Sequence, residues 1–524
     1  MIHHATKTTL FIGALALTLI LGGCDSLSSY NNNPNAPTSA NPNNVLAKAQ
    51  RDLGFEVYGS NPTMRGTNIL AQYTTRNQYV GQYGGGAVGY GWSGFYTALN
   101  DLKKVKELSS RLPNGKNIRA VATITQVWAF QILTDTYGDI PFKKALQGAK
   151  NRSPAYTPQK VIYKSLIDSL NKAIGNINVS GKGPSGDLYL GGDMENWKRF
   201  ANGLKMRTGI RAIDAASGNW AKNAITSATG KALQSNDDNV YFQFATSSTH
   251  RNTYYENRFV DGRDDFDAAR RFVEAMKQYG TNDPRMDAYF EGTSNTAPPC
   301  ADGSGKYKGF PFEAEQQAAT TLKTGTPSCN FSRPDAWWPA GPSGQGDAFA
   351  PIMYYDEILL TKAEAAARGI ISGNPKDLLE KAIRNSVDFY GTQTEADISG
   401  SSAQTDAYVQ AVRNDYDQHG YEQVIGEQRW IAFYFNNVQG WSTFRRLDFG
   451  GWLGPPVGGV ANDFAGYIPQ RLSYPSSEQN LNFENYKKAA NRQFGGISGE
   501  DEAGRIWWEK ATDPLPTPRQ WPSP

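Results

Sequence analysis

Aromatic residues alternate with glycine in one short stretch of the chain. Five aromatic side chains surround the glycine-rich run 84–89: Tyr79, Tyr83, Tyr90, Trp92 and Tyr96. Glycine lets a loop pass close to a bound molecule, and aromatic faces stack on the apolar faces of sugar rings. Arg76 and Asn77, just before this stretch, carry the polar groups that would contact hydroxyls. The pattern predicts ligand contacts from Arg76, Asn77, Tyr83, Tyr90 and Trp92, with packing of the aromatic residues in a core as the alternative.

Two adjacent tryptophans, Trp337 and Trp338, form the second candidate ligand site. Two neighbouring tryptophans in a loop do not easily enter one core together, so at least one is expected at the surface. An exposed tryptophan would be a platform for a ligand, whereas packing of the loop onto the body is the alternative. The surrounding stretch, about 293–350, is rich in Gly, Pro and Ser and too long for an ordinary connection, which predicts a functional or flexible insertion.

Four acidic residues raise the question of a metal site or an enzyme: Asp261, Asp264, Asp265 and Asp267. A calcium loop would need ligands at alternating positions with a glycine and a distal glutamate, and that spacing is missing. We therefore predict that most of the cluster lies at a helix N-terminus, where the helix dipole favours acids. Paired carboxylates of a hydrolase stay open as the alternative, because their separation is a property of the fold.

Histidine and cysteine restrict the chemistry further. Beyond residue 23 the chain has only His250 and His419, so a histidine cluster for a metal is excluded. A Ser-His-Asp order and a nucleophile elbow are not evident. The sequence thus predicts no catalytic residue, no metal and no cofactor. Cys300 and Cys329 are predicted to form a disulfide in an exported protein, with two free thiols as the alternative. A metal pair is a weaker alternative, because neither cysteine has a second Cys or a His at ligand spacing.

The elements that must position these residues are mostly helices. Apolar residues recur at three- and four-residue steps over 117–137, and Gly138 supplies a stop. A partner helix follows, with Thr157 as its N-cap and Pro158 in its first turn. A second helix pair is predicted over 352–366 and from Asn374 to Tyr390. Further helices are predicted over 44–58, 94–110, 196–214, 264–278 and 421–436, with the best strand at 240–244.

Length and composition suit a large globular body. The 524 residues include 53 Lys and Arg against 50 Asp and Glu, so the net charge is +3. A dedicated nucleic-acid binder usually shows a strong basic excess, so that class is disfavoured. With 39% hydrophobic and 20% charged residues, the chain can bury a core, and a polytopic membrane protein is not expected.

The N-terminus predicts export and a lipid anchor. Basic residues precede an apolar run from Leu10 to Leu21, which suits a signal peptide and is too short to cross a bilayer. Directly after it, residues 21–24 resemble a bacterial lipobox, so we expect cleavage of 1–23 and acylation of Cys24, with an ordinary secretory signal as the alternative. Acyl chains on one residue give a stable anchor. Residues 24–43 are predicted to be a flexible linker, followed by a single domain over 44–524.

Several motifs together resemble the SusD/RagB family, the surface lipoproteins that serve nutrient-import transporters. The segment 135–142, with Tyr137-Gly138-Asp139-Ile140-Pro141, is similar to that family's Tyr-Gly-Asp-Ile-Pro element. The segment 197–207 is similar to its Trp-x-x-Phe-Ala-Asn-x-Leu-x-x-Arg helix. The other similar segments are 263–266 with 283–285, 354–357 with 363–365, and the C-terminal block that includes 428–432, 440–446 and 469–478.

The resemblance implies both a fold and a role. The fold would be mainly α, with irregular tetratricopeptide-like helix pairs, few short strands and a loop-rich ligand-binding face. The role would be that of a lipid-anchored outer-membrane protein facing the cell exterior, which captures an oligomeric nutrient, foremost an oligosaccharide, and delivers it to a SusC-like TonB-dependent transporter. The alternatives are a peptide-binding member of the family, a surface-anchored glycan hydrolase using paired carboxylates, or a structural adaptor that binds no ligand.

Most residues of these motifs also have a structural explanation. We expect Tyr137, Asp139 and Pro141 to fix the turn after a helix, since Gly138 permits unusual dihedral angles. The adjacent arginines at 445 and 446 are expected to pair with buried carboxylates.

Overall fold

Helices form most of the described chain, and their bounds follow the apolar spacing of the sequence. The computed structural model describes residues 40–59, 66–78, 91–293, 305–314, 316–324, 331–335, 337–394, 396–447, 449, 451–454, 469–497 and 504–509. The helices of the first half are α1 (Pro42–Tyr58), α2 (Asn68–Leu70), α3 (Trp92–Leu108), α4 (Gly115–Tyr137), α5 (Gln159–Asn176), α6 (Met194–Ala212) and α7 (Trp220–Ala228).

Shorter helices occupy the middle of the chain, and longer ones return after residue 354. The short helices are α8 (Thr253–Tyr255), which runs into a π-helical turn (Glu256–Val260), α9 (Arg270–Ala275), α10 (Met286–Tyr289), α11 (Gln316–Thr324) and α12 (Trp337–Ala340). The remaining helices are α13 (Tyr355–Ala367), α14 (Pro375–Gln393), α15 (Ala403–Ala432), α16 (Asn437–Leu447), α17 (Ser476–Leu481) and α18 (Phe483–Phe494).

Many of the helices pack as pairs that are neighbours along the chain. Helix α4 packs on α5, α6 on α7, and α13 on α14, while α1 packs on α3. The start of α14 shows why these elements form where they do. The Asn374 side chain accepts a hydrogen bond from the Lys376 backbone N–H, and Pro375 occupies the first turn, where its missing N–H costs nothing. The mainly α fold with paired helices is thereby confirmed.

Short strands pair across long stretches of sequence. The described strands are β1 (Thr74–Arg76), β2 (Ile140–Pro141), β3 (Tyr156–Thr157), β4 (Val240–Gln243), β5 (Phe266–Ala268) and β6 (Phe349–Met353). They form antiparallel two-stranded ribbons, β1 with β5, β2 with β3 and β4 with β6. The strand predicted at 240–244 is therefore present, and it is held by a partner about a hundred residues away.

The turn after α4 is fixed by side chains from distant parts of the chain. Gly138 has a φ of 84°, a region that favours glycine. The Asp139 side chain accepts hydrogen bonds from the Gln159 backbone N–H and from Arg492 Nε, both at 2.7 Å. The Tyr474 hydroxyl donates to the Asp139 carbonyl oxygen at 2.6 Å. These contacts show how the Tyr-Gly-Asp-Ile-Pro element joins α4 to α5 and to the C-terminal helices.

Several predicted boundaries differ from the structure. The stretch 264–278 contains strand β5 before the short helix α9, because its first residues pair with β1 instead of continuing a helix. The acidic cluster therefore lies before and within a strand, and the prediction that most of it lies at a helix N-terminus is wrong. Thr157 belongs to β3, so the residue that precedes α5 is Pro158. The helical run of α15 starts earlier than predicted and breaks at Gly420, with a φ of 80°.

The described helices differ from a transmembrane segment in length or in apolar composition. Among them, none has both the length and the apolar composition that a transmembrane segment requires.

Candidate ligand-binding site

The ribbon of β1 and β5 positions the candidate site. Thr74 pairs with Ala268, and Arg76 pairs with Phe266. Because successive side chains of a strand point to opposite faces, Thr74 and Thr75 point in opposite directions. The Thr75 hydroxyl accepts a hydrogen bond from the Glu313 backbone N–H at 2.8 Å. The Thr74 side chain instead forms part of a cavity wall.

An aromatic cavity of about 40 Å³ lies on the Thr74 side of this ribbon. Its inner wall is made of buried residues, which are Tyr58, Asn68, Thr74, Phe244, Phe266, Pro334, Trp338, Ala350 and Pro351. Its mouth is made of half-buried residues, which are Asn252, Thr253, Tyr254, Phe349 and Phe435. Apolar walls with a few polar groups are typical of small-molecule sites.

The cavity wall carries no charged side chain among its described residues. Its tyrosines do not supply charge either, because burial raises the pKa of Tyr58 and of Tyr254 well above the ordinary value for tyrosine. Both hydroxyls therefore stay protonated at any physiological pH. The cavity offers no counter-charge to an ionic ligand, so it favours a neutral group.

Among the buried residues of the cavity wall, Asn68 and Thr74 each carry a side-chain oxygen that has no hydrogen-bond partner within the part of the chain that the structure describes. These atoms are Asn68 Oδ1 and Thr74 Oγ1, and each side chain belongs to a residue that is only 3% exposed. Leaving a buried polar atom unsatisfied costs roughly 1–3 kcal/mol. A bound group with matching donors and acceptors would remove this cost.

An aromatic side chain reaches solvent in the segment Thr253–Val260, which begins with cavity residues Thr253 and Tyr254. Phe259 is 45% exposed and Val260 is 52% exposed. The Tyr255 ring lies 5.3 Å from the Phe259 ring. Arg258 donates to both carboxylate oxygens of Glu291, at 2.7 and 2.6 Å, which fixes the segment in place. We call Thr253–Val260 the aromatic segment; the exposed ring of Phe259, with the half-buried ring of Tyr255 beside it, offers a surface for stacking.

Arg76 and Asn77, both predicted to contact ligand, are buried. Arg76 is 2% exposed and Asn77 is 1% exposed. The Asn77 side-chain amide donates to Asp267 Oδ2 at 2.8 Å, and the Arg76 backbone N–H donates to Glu313 Oε1 at 3.0 Å. Both residues thus contribute contacts that hold the β1 region in place beside the cavity.

The two described tryptophans of the predicted site lie in different places. Trp338 is 3% exposed, lines the cavity and lies 4.0 Å from the Phe435 ring. Trp92 is 7% exposed and packs against Tyr137 and Tyr474, with ring centroids 4.9 and 6.0 Å away. The structure therefore brings Trp338 to the cavity, whereas Trp92 belongs to an aromatic cluster outside the cavity wall.

The remaining predicted residues lie outside the part of the chain that the structure describes. They are Cys24, Tyr83, Tyr90, Cys300, Cys329 and the side chain of Trp337. Acylation, ligand contact by these residues and the disulfide stay predictions.

The acidic residues around β5 are engaged with other side chains. Asp264 pairs with Arg333 at 2.6 Å, and Asp265 pairs with Arg263 at 2.7 Å. Asp267 accepts the hydrogen bond from Asn77. Over the described ranges, no group of three or more His, Cys, Asp or Glu is arranged to hold a metal ion.

Residues that sequence reasoning missed include Asn68, Thr74, Tyr255 and Phe259. Asn68 and Thr74 carry no local signal, because the cavity forms from segments that are far apart in the chain. The aromatic segment did have a local sequence signal. Phe259 and Val260 are two adjacent apolar residues between the charged residues Arg258 and Asp261, which is a pattern typical of an exposed apolar spot.

Comparison with known proteins identifies the family. A SusD-like family model, described as "Starch-binding associating with outer membrane", matches residues 34–475. The chain belongs to this SusD-like family. No curated protein sequence matches it.

Several solved structures share the fold of this SusD-like chain. A chitin-binding protein is 24% identical, with a TM-score of 0.75, and the match covers 90% of this chain and 100% of that one. A SusD homologue from Bacteroides fragilis is 20% identical with a TM-score of 0.72, covering 90% and 100% of the two chains. A SusD-like protein from Bacteroides thetaiotaomicron is 20% identical with a TM-score of 0.71, covering 90% and 99%.

Proposed function

We propose that this protein captures a neutral oligosaccharide at the cell surface and delivers it to a SusC-like TonB-dependent transporter. The observation that carries the proposal is the uncharged aromatic cavity next to the exposed aromatic segment. The family description names starch binding and the outer membrane, and one similar structure is a chitin-binding protein. Both agree with a carbohydrate ligand.

The chemistry of the cavity and the aromatic segment suits sugar better than peptide. Sugar rings are neutral and have apolar faces, which Phe259 and Tyr255 can stack on. A peptide brings charged termini and side chains, whereas the described cavity wall carries no charge to match them. Binding of a peptide is therefore the second candidate and an outcome of the experiment below.

Attachment through acylated Cys24 would hold the protein at the outer membrane and leave the binding face outside the cell. This part of the proposal rests on the sequence of the N-terminus and on the outer-membrane association of the family.

The proposed activity is binding without covalent chemistry. The acids that would serve a hydrolase, Asp264 and Asp265, are each paired with an arginine. Each of these carboxyl groups thus binds an arginine of the protein itself, whereas a glycosidase directs a pair of carboxyl groups at the scissile bond.

Calorimetry with the purified chain tests the proposal. The ligands are oligosaccharides of starch, cellulose and chitin, together with a set of short peptides, and the products are analysed for cleavage. We expect one oligosaccharide class to bind without turnover, and Phe259→Ala to weaken that binding. Leu481→Ala is the matched control, because Leu481 is an apolar side chain that is 76% exposed elsewhere, on α17. Binding of peptides alone, cleavage of a glycan, or equal loss in both variants would refute the proposal.

A further inference from the structure

We propose that the cavity binds the acetamido group of an N-acetylated amino sugar. This inference rests on the proposed function, because it names the class of sugar that the same site selects. The size of the cavity, the lack of charged side chains in its described wall and the unsatisfied oxygen atoms of Asn68 and Thr74 support it.

The size of the cavity fits a group of this kind. Its volume of about 40 Å³ is far too small to enclose an oligosaccharide. A cavity needs at least roughly 10–15 Å³ to hold one water molecule, so this cavity has room for a small substituent. An acetamido substituent has four heavy atoms, whereas the hydroxyl that replaces it in a simple hexose has one. The sugar chain itself would stay outside, next to the aromatic segment.

The polarity of the cavity also fits. A carboxylate of an acidic sugar would enter a wall that has no described cationic side chain, at a high desolvation cost. The acetamido group is neutral and ends in a methyl group, which suits the rings of Phe244, Phe266 and Trp338.

The hydrogen-bonding groups are complementary. Asn68 Oδ1 needs a donor, and the acetamido N–H is one. The Asn68 side chain also has an NH₂ group, and the acetamido carbonyl is an acceptor for it. The Thr74 hydroxyl can donate or accept. A secondary amide carries its donor and its acceptor on separate atoms, so it can serve Asn68 and Thr74 at the same time.

Two oligosaccharides provide a matched pair of probes. Chitotriose and cellotriose share the same backbone linkage and differ at C2, where the first has an acetamido group and the second a hydroxyl. We expect chitotriose to bind the purified chain about tenfold or more tightly, from burial of the methyl group and the added hydrogen bonds. Saturation-transfer NMR should then show its strongest signal at the acetyl methyl protons.

Thr74→Val tests the cavity directly. Valine has nearly the same shape as threonine, and the Thr74 hydroxyl has no hydrogen-bond partner among the described residues, so the variant should unfold at the same temperature or a higher one. We expect its affinity for chitotriose to fall about three- to tenfold while its affinity for cellotriose is unchanged. Asn68→Leu, also close in shape, should reduce the same preference.

Thr75→Val is the matched control, since Thr75 is the next residue and points to the other face of β1. Its hydroxyl accepts from the Glu313 backbone N–H, so this variant should lose stability and keep the preference for chitotriose.

The outcomes separate the two levels of the proposal. Equal binding of chitotriose and cellotriose, or a preference that survives both Thr74→Val and Asn68→Leu, would refute the acetamido site and leave carbohydrate capture in place. Failure of every glycan to bind would overturn both. Loss of the preference in Thr75→Val as well would show that the effect arises from the fold and not from the cavity.

Discussion

The guanidinium of Arg446 donates hydrogen bonds to both carboxylate oxygens of Glu364, at 2.5 and 2.6 Å. Glu364 is fully buried and Arg446 is only 3% exposed. Arg368 and Arg429 reach the same carboxylate at 2.9 and 3.4 Å. Arginine binds carboxylates in this two-pronged way because its donors form a planar fork. The contacts tie α16 and α15 to α13, so the carboxylate joins three helices of the C-terminal half.

Removing the charge of Glu364 should destabilise the protein strongly. Glu364→Gln keeps the shape but leaves three arginines without their shared anion, and breaking a buried pair costs roughly 3–5 kcal/mol. Urea unfolding followed by circular dichroism measures the loss. Asp417→Asn is the control, because Asp417 forms its ion pair with Lys376 while 61% exposed, where such pairs contribute about 1 kcal/mol or less. Equal losses in the two variants would contradict the role assigned to Glu364.

The same site predicts a loss of stability in acid. Burial alone would raise the pKa of Glu364, but the charges and hydrogen bonds of the arginines, Arg446 foremost, lower it to about 2. In the unfolded chain a glutamate titrates at about 4.3. The contribution of Glu364 is therefore fully present above about pH 4.3 and is lost as the pH falls towards 2. Unfolding free energies measured at pH 5, 4 and 3 should fall less steeply in Glu364→Gln than in the parent.

Sequence reasoning predicted the helical pairs because their signals are local. The apolar spacing of α4 and its stop at Gly138 lie within one segment, and so does the Asn374-Pro375 start of α14. The expectation that the arginines at 445 and 446 serve the scaffold rested on the chemistry of arginine. Arg446 binds Glu364, whereas Arg445 donates to the backbone carbonyl oxygen of Asp135 at 2.7 Å.

The cavity and strand β5 could not be predicted in the same way, because both depend on contacts between distant segments. Phe266 becomes a strand residue by pairing with Arg76, about 190 positions away. Asn68 and Thr74 reach the cavity only when that ribbon packs beside Phe244 and Trp338. Trp92 did have a local signal, but that signal was ambiguous. Aromatic residues among glycines suit a ligand site and a core equally, and only the packing of the folded chain distinguishes the two.

A buried carboxyl at the start of α13 should make the protein less stable as the pH rises. Burial raises the pKa of Asp356 to about 7, although the Ser386 hydroxyl and the charge of Arg285 act in the opposite direction. An unfolded aspartate titrates at about 3.9. Between these values the unfolded chain has lost a proton that the folded chain keeps, so each pH unit removes about 1.4 kcal/mol of stability.

Asp356→Asn should remove this dependence, because an amide resembles the protonated acid and does not titrate. We expect the variant to unfold near the parent's temperature at pH 4 and at a higher temperature at pH 8. Differential scanning calorimetry at the two pH values measures the effect. A variant less stable than the parent at pH 8 would show that the ionised carboxylate is satisfied in the folded protein.

Trp92→Ala and Phe259→Ala should have opposite effects: the first should lower the stability of the protein, and the second should weaken ligand binding. The Trp92 ring is buried among other aromatic rings, so its truncation should cost roughly 3–5 kcal/mol of unfolding free energy. Phe259 is 45% exposed, so its truncation should change stability by about 0.5 kcal/mol or less while weakening ligand binding. Chemical unfolding measures the stability of both variants, and calorimetric titration measures their affinity for the ligand. Unchanged stability of Trp92→Ala would instead place its ring in a ligand-binding role.

Close packing at Gly440 connects the helical body to the ribbon that carries Thr74. A Cβ atom at Gly440 would lie 2.0 Å from the Tyr73 hydroxyl oxygen, and that hydroxyl donates to the Trp430 carbonyl oxygen at 2.7 Å. Gly440→Ala should therefore cost roughly 1–3 kcal/mol, since such overlap forces neighbouring groups to move. Because Tyr73 directly precedes β1, the shift should also weaken binding at the cavity.

Gly175→Ala is the matched control for this change. Gly175 lies in α5, with nothing within 4 Å of an added Cβ, so the substitution should be neutral or stabilise by up to about 1 kcal/mol. Thermal unfolding of the two variants, with ligand titration of each, compares a crowded glycine with an open one. If Gly440→Ala proved as stable as Gly175→Ala and bound ligand as tightly, Tyr73 would have room to move without displacing β1, and α16 would not fix the position of the cavity.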